Sequence, residues 1–137
     1  METPTLNQAH YFFDTTVLVA YFKKEDIYTH DIVTQVLDEK ATASISVITV
    51  AEVVAASDMN EPELRDRRLA VLNALTVIPV DRALAERGGE LRREHHLELP
   101  DALIAACAEQ AGGRFLAKDP HFERLLKAKV LSGQVYE

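Results

Sequence analysis

The stretch that most restricts how this chain can fold is residues 99–122, LPDALIAACAEQAGGRFLAKDPHF. Leu99-Pro100-Asp101 opens a helix: proline suits the first turn, and an aspartate there meets the positive end of the helix dipole. Residues 101–111 continue as an alanine-rich helix, with Leu103, Ile104, Cys107 and Ala108 on one face and side chains small enough to approach a sheet closely. Gly112-Gly113 ends it, residues 114–118 read as a short strand, and Asp119-Pro120 opens the next helix in the same way. Both aspartates therefore fall at helix N-termini, at or near the mouth of one strand-helix unit, where open α/β sheets place their chemistry. Either one alone reads more readily as a helix cap than as a catalyst. The other junctions of the chain have to decide.

Residues 10–13 (HYFF) form an apolar run ending at Asp14 and read as a first, buried strand. Thr15 or Thr16 caps the following helix, which carries Val17, Leu18, Tyr21 and Phe22 on one face. Residues 26–30 are polar and turn-like, and residues 31–39 bring Ile32, Val33, Val36 and Leu37 to helical spacing. Residues 41–46 are a second strand. Thr49-Val50-Ala51-Glu52 has the form of a capping box, opening a helix through Ala56 with Val53 and Val54 facing inward. After a break at residues 58–60, Glu61-Pro62-Glu63 starts a helix with Leu64, Val71, Leu72 and Leu75 inside and Arg65, Arg67 and Arg68 outside. Residues 77–80 are a third strand whose Pro79 marks an edge or a strand end. Asp81 caps a helix to about His96, with Leu84, Gly88, Leu91 and His95 along one stripe, and a last strand is expected near Val130-Leu131. This alternation predicts an α/β fold: a parallel sheet of about four to five strands with helices on both faces. At 137 residues it predicts one domain, 1–137.

Composition narrows the function. A net charge of −7 argues against binding nucleic acid through bulk charge, and leaves room for local binding if a metal offsets clustered acids. The single cysteine, Cys107, excludes an internal disulfide and reads as a small buried hydrophobe. No run is apolar enough to span a membrane and residues 1–10 do not resemble a signal peptide, so a cytoplasmic protein is expected. The five histidines show no zinc-ligand spacing.

Four acids stand at strand-to-helix junctions: Asp14, Glu52, Asp101 and Asp119. In a parallel sheet these points share one edge, so the carboxylates would repel one another, and burial would add to the cost, unless cations lie between them. With no lysine or arginine placed to neutralise them, the cluster suits Mg²⁺ or Mn²⁺ with waters completing the shell. Each acid also has a local explanation; Glu52 in particular is the glutamate of the capping box.

Four blocks of sequence, residues 11–22 (YFFDTTVLVAYF), 46–53 (SVITVAEV), 99–108 (LPDALIAACA) and 115–122 (FLAKDPHF), together resemble the four motifs of PIN domains, in the same order and over nearly the whole chain. The compact size is similar to that of the VapC ribonuclease toxins of toxin–antitoxin pairs. That resemblance implies a PIN-like fold and a Mg²⁺- or Mn²⁺-dependent endoribonuclease with Asp14, Glu52, Asp101 and Asp119 as its acidic site. It also implies a homodimer and a VapB-like antitoxin whose tail covers the site. In that reading Asp14, Asp101 and Asp119 hold metal, and Glu52 acts through water or orients the nucleophile. Thr15, Thr16 and Lys118 meet the substrate. Arg65, Arg67, Arg68, Arg92, Arg93 and His121 either touch RNA backbone or form a solvated face.

Two positions depart from the family pattern: Thr16, where asparagine is frequent, and Ala117, where a hydroxyl residue often stands. Apolar residues on several faces of the helices between 49 and 76, among them Val50, Val54, Met59 and Leu69, are expected to form a dimer contact or an antitoxin groove. A haloacid-dehalogenase-type phosphatase would need a second aspartate where Thr16 stands, and a receiver domain would need a paired acid beside Asp14. The remaining alternative is a PIN-like binding or assembly module with weak or no nuclease activity.

Overall fold

The computed structural model describes residues 8–137. Among these, five strands, β1 (His10–Phe13), β2 (Thr42–Ser46), β3 (Thr76–Ile78), β4 (Arg114–Ala117) and β5 (Gly133–Val135), pair in parallel in the order β3-β2-β1-β4-β5. The intervening helices are α1 (Thr15–Phe22), α2 (Ile27–Leu37), α3 (Val47–Val54), α4 (Pro62–Asn73), α5 (Arg82–His95), α6 (Leu99–Ala111) and α7 (Glu123–Lys127), with 3₁₀ turns at Ser57–Asn60 and Pro120–Phe122. None is long and apolar enough to cross a membrane. The α/β class expected from the alternation is the one observed.

Period-two alternation sorts the central strands between two cores. Phe12 of β1 and its register partner Phe115 of β4 face α5, α6 and α7. Phe13 and its partner Leu116 face the other way, toward α1, α2 and α4. All four are essentially inaccessible to solvent. On β2 the face toward α6 is built from Ser44 and Ser46, both buried, and the helix answers with Ala102, Ala105, Ala106 and Cys107. These small groups bring helix and strand together closely enough for the Cys107 thiol to reach Ser46 Oγ at 3.4 Å. The turn from α6 into β4 needs left-handed backbone at Gly112 (φ 72°) and Gly113 (φ 87°); a Cβ on Gly113 would lie 2.9 Å from the His10 carbonyl oxygen.

Several local expectations are corrected. α2 begins at Ile27, because Asp26 accepts the Thr29 amide at 2.7 Å as its N-cap; residues 26–30 are helix start and not turn. α3 begins at Val47, capped by Ser46, whose hydroxyl accepts the Ile48 amide at 3.0 Å. Thr49 is thus inside the helix, and Glu52 is no capping-box glutamate. Val53 is buried, while Val54 is 45% exposed. Arg68 faces inward: its guanidinium grips Asp58 at 2.6 and 2.8 Å and lies 5.0 Å from the centre of the Phe22 ring. That rules it out of an RNA-facing row, whereas Arg65, Arg67, Arg92 and Arg93 are exposed as expected. Met59 is buried within the chain and is not part of a free apolar surface. The last strand is Gly133–Val135, three residues later than expected; Leu131 instead packs into the core from the preceding loop. β3 is an edge strand followed by Pro79, as the proline implied.

The topology fixes where chemistry can occur. From β1 the chain moves outward through β2 to β3, then crosses to the opposite side of β1 to form β4 and β5. The C-terminal ends of β1 and β4 therefore flank the point where the direction of winding reverses, which opens a crevice in sheets of this type.

Candidate active site

Asp14 stands at the tip of β1 with its amide bonded to the Leu116 carbonyl of β4 at 2.9 Å, and caps α1. Its Oδ2 accepts the Thr16 hydroxyl at 2.6 Å and the Thr16 amide at 3.2 Å. The same hydroxyl accepts the Lys118 amide at 2.9 Å, so Thr16 fastens the end of β4 to the carboxylate at the end of β1. Asp101 lies in the first turn of α6 and Asp119 follows β4. Glu52, one turn into α3, is held by the Thr15 hydroxyl, which donates to Oε1 at 2.7 Å and shares a 2.8 Å contact with Thr49.

All four acids line one cleft of about 410 Å³, together with Thr15, Thr16, Val19, Glu25 and Lys118. Asp14 is 2% exposed, and burial pushes its carboxyl up to about 6, opposed by the two Thr16 hydrogen bonds and assisted by the charge of Asp101. Asp101 is likewise pushed upward, first by burial and then by the charges of Asp119 and Glu52. Among the described residues no lysine or arginine forms an ion pair with any of the four. A site of this kind is costly when empty of cations and suits a divalent ion. The donor set fits: Asp101, Asp119 and His121 each offer a ligand atom, all within 4.8 Å of one another, and Asp14 adjoins them on the wall of the cleft.

The residues expected to meet substrate are placed in the cleft but are otherwise engaged. The hydroxyls of Thr15 and Thr16 serve the carboxylates. The Lys118 ammonium is bound by Asp26 at 2.7 Å and Glu25 at 3.3 Å, and sits 5.7 Å from the centre of the Tyr136 ring. His121 lies against Asp119, with Nδ1 2.7 Å from Oδ1. Ala117 is fully buried beside Phe12, Phe115 and Phe122, so a hydroxyl there would enter the core and not the cleft. Thr49, Glu25 and Asp26 are supporting residues that the sequence reading did not assign to the site. Asp26-x-x-Thr29 carried a legible N-cap signal, but nothing local linked it to Lys118.

The family profile for PIN domains matches residues 11–127. The chain belongs to the PIN-domain family. PIN domains are nucleases, and the acids lie where this PIN sheet reverses direction. Among solved structures, the chain is similar to one in VapBC2 from Rickettsia felis bound to a promoter DNA fragment, with TM-score 0.73 and 22% identity over 93% of this chain and 99% of that one. It is similar to a chain of a toxin–antitoxin complex from Klebsiella pneumoniae, with TM-score 0.70 and 25% identity over 92% and 98%. A chain of VapBC-5 from Mycobacterium tuberculosis gives TM-score 0.60 and 23% identity over 93% and 99%. No curated protein sequence matches the chain significantly.

The Thr16 bridge in this PIN domain can be tested apart from activity. Thr16→Val removes the hydroxyl that donates to Asp14 and accepts from Lys118. It should destabilise the fold by about 1–3 kcal/mol in urea unfolding, whereas Thr16→Ser should retain most of the stability. Equal stability of all three proteins would show that the bridge contributes nothing.

Proposed function

We propose that the chain is a Mg²⁺- or Mn²⁺-dependent endoribonuclease of the VapC type. One observation carries this reading: four acids from separate elements line a single cleft with no lysine or arginine paired to them among the described residues. Asp14, Asp101 and Asp119 would hold the ion. When bound, it supplies a Lewis acid for the phosphoryl oxygens and lowers the pKa of a coordinated water. Glu52 has one oxygen fixed by Thr15, and its second has no hydrogen-bond partner among the described residues. That second oxygen can orient the attacking water and accept its proton. Thr16 keeps Asp14 in register with the end of β4. Contacts of Thr15, Thr16 and Lys118 with a phosphate would require their present hydrogen bonds to rearrange.

The surface supports an antitoxin partner. The cleft shares Val19 and Glu52 with a groove of about 330 Å³ that passes Phe22, Lys23, Ala56 and Arg68. This groove shares Phe22 and Arg68 with a further hollow of about 320 Å³ lined by Tyr21, Leu64 and Val71. An extended antitoxin tail lying along it would reach the acids and could place a basic side chain among them. A homodimer completes the proposal, with Val47 and Val54 of α3 among the exposed apolar residues.

The test is incubation of the purified protein with a structured RNA in EDTA, MgCl₂ or MnCl₂. Cleavage is expected only with metal, leaving no 2′,3′-cyclic phosphate because water is the nucleophile. Intact RNA with a folded, metal-loaded protein would replace this reading with that of a binding module. Cyclic-phosphate ends would show that the ribose hydroxyl attacks instead.

A further inference from the structure

His121 stands out among the groups at the acidic cleft because it adds nitrogen to a set of oxygens. It follows Pro120, whose ring fixes the backbone, and precedes Phe122, which is fully buried against Phe115 at 5.0 Å between ring centres. The turn between these two anchors holds His121 in place although its side chain is 73% exposed. Both its amide (2.9 Å) and its ring Nδ1 (2.7 Å) meet Oδ1 of Asp119. A ring nitrogen lies with carboxylate oxygens of Asp101 and Asp119 in a group whose members are all within 4.8 Å. Donors around one six-coordinate ion, each about 2.0–2.2 Å from it, stand about 3 Å apart when adjacent and just over 4 Å when opposite. The set is therefore nearly of ligating size before any ion enters.

Building on the metal-site reading above, we propose that His121 is a direct ligand of the bound ion and makes this site favour a first-row transition ion, Mn²⁺ or Co²⁺, over Mg²⁺. The reason is ligand chemistry. Mg²⁺ keeps its waters and takes oxygen donors, while imidazole binds transition ions and gains little with Mg²⁺. An all-carboxylate site would not separate the ions in this way. Because the His121 side chain is 73% exposed and belongs to neither core, its replacement leaves the core untouched.

The experiment titrates the wild-type chain, His121→Ala and His121→Gln with MnCl₂, CoCl₂ and MgCl₂ alone. Affinities are read by calorimetry and by loss of the free Mn²⁺ signal, melting temperatures confirm folding, and pulsed EPR of bound Mn²⁺ looks for coupling to a ¹⁴N nucleus. The wild type should show ¹⁴N coupling. Both variants should lose it and bind Mn²⁺ and Co²⁺ about tenfold or more weakly, while Mg²⁺ affinity changes less than about threefold. Parallel loss for all three ions with no ¹⁴N coupling in the wild type would mean that His121 only orients Asp119, which overturns the proposal. Unchanged affinities would overturn it while leaving the carboxylate metal site standing. Absence of Mn²⁺ and Mg²⁺ binding to the wild type would overturn both.

Discussion

Asp101→Asn is expected to abolish metal-dependent RNA cleavage, lowering the single-turnover rate about a thousandfold or more, equivalent to about 4 kcal/mol of transition-state stabilisation. The amide has nearly the shape of the carboxylate but cannot offer a charged oxygen to the ion. The fold should survive. Asp101 sits in the first turn of α6, where a negative charge gains about 0.3–1 kcal/mol from the helix dipole. Against this stands the repulsion of Asp119 and Glu52 and the cost of burial, which together push the Asp101 carboxyl upward. The two effects oppose each other, so the metal-free variant should melt at or above the wild-type temperature, and Mn²⁺ should raise its melting temperature less. A folded Asp101→Asn protein that cleaves at the wild-type rate would remove Asp101 from the site. Lost activity that tracks lost stability would assign it a capping role only.

The second large effect is a pH dependence of stability that originates at Asp14. Its carboxyl titrates near 6 in the folded chain against an ordinary value of 3.8, chiefly because it is buried. Between those values the native state holds a proton that the unfolded chain has released. Raising pH through this window therefore favours unfolding, and the penalty is complete above about 6. Two pH units correspond to about 3 kcal/mol as an order of magnitude. Other groups run the opposite way: Asp26 beside Lys118 and Glu109 beside Arg87 are held below the usual carboxylate range, and so gain stability as pH rises. The test is consequently a difference. Wild type and Asp14→Asn should be equally stable near pH 4 in EDTA and diverge by pH 7, with the variant more stable, since asparagine still accepts from Thr16 without a charge. Millimolar Mn²⁺ at pH 7 should close the gap from the wild-type side. Parallel curves across pH 4–7 would show that Asp14 carries no buried charge cost.

Much of this was legible from local chemistry. Apolar runs such as HYFF, helix stops such as Gly112-Gly113 and acids at helix starts are written within a few residues of where they act, because helix and strand periodicity and capping are short-range effects. The alternation of elements implied a parallel sheet, and a parallel sheet puts the C-terminal end of every strand on one edge. That geometry brings Asp14 and Asp119 together without any knowledge of side-chain contacts; Asp101 follows helix α5 and not a strand, and reaches the same edge because α6 runs back along the sheet before Gly112-Gly113 turns the chain into β4. Glu52 joined them for a reason the sequence obscured. Its apparent capping partner Thr49 lies inside α3, and Ser46 caps the helix instead. Serine and threonine compete for such a role on nearly equal terms, and the end of β2 settles which one holds it.

Tertiary structure alone decided the rest. Arg68 reads as surface on its helix, yet the turn at Ser57–Asn60 brings Asp58 onto it and α1 supplies Phe22, so a charged group is stable inside. Lys118 reads as a substrate contact beside Asp119, but the start of α2 arrives with Glu25 and Asp26 and binds it. Ala117 reads as a departure from the family pattern next to the last acid and is core, because the alternation of β4 turns it to the same side as Phe115. In each case the deciding partner comes from another element. The sequence determined which segments become helix and strand and at which edge the acids meet; the crossing from β3 to β4 past β1, and the packing it enforces, decided which charges there have a lysine or arginine partner among the described residues and which do not.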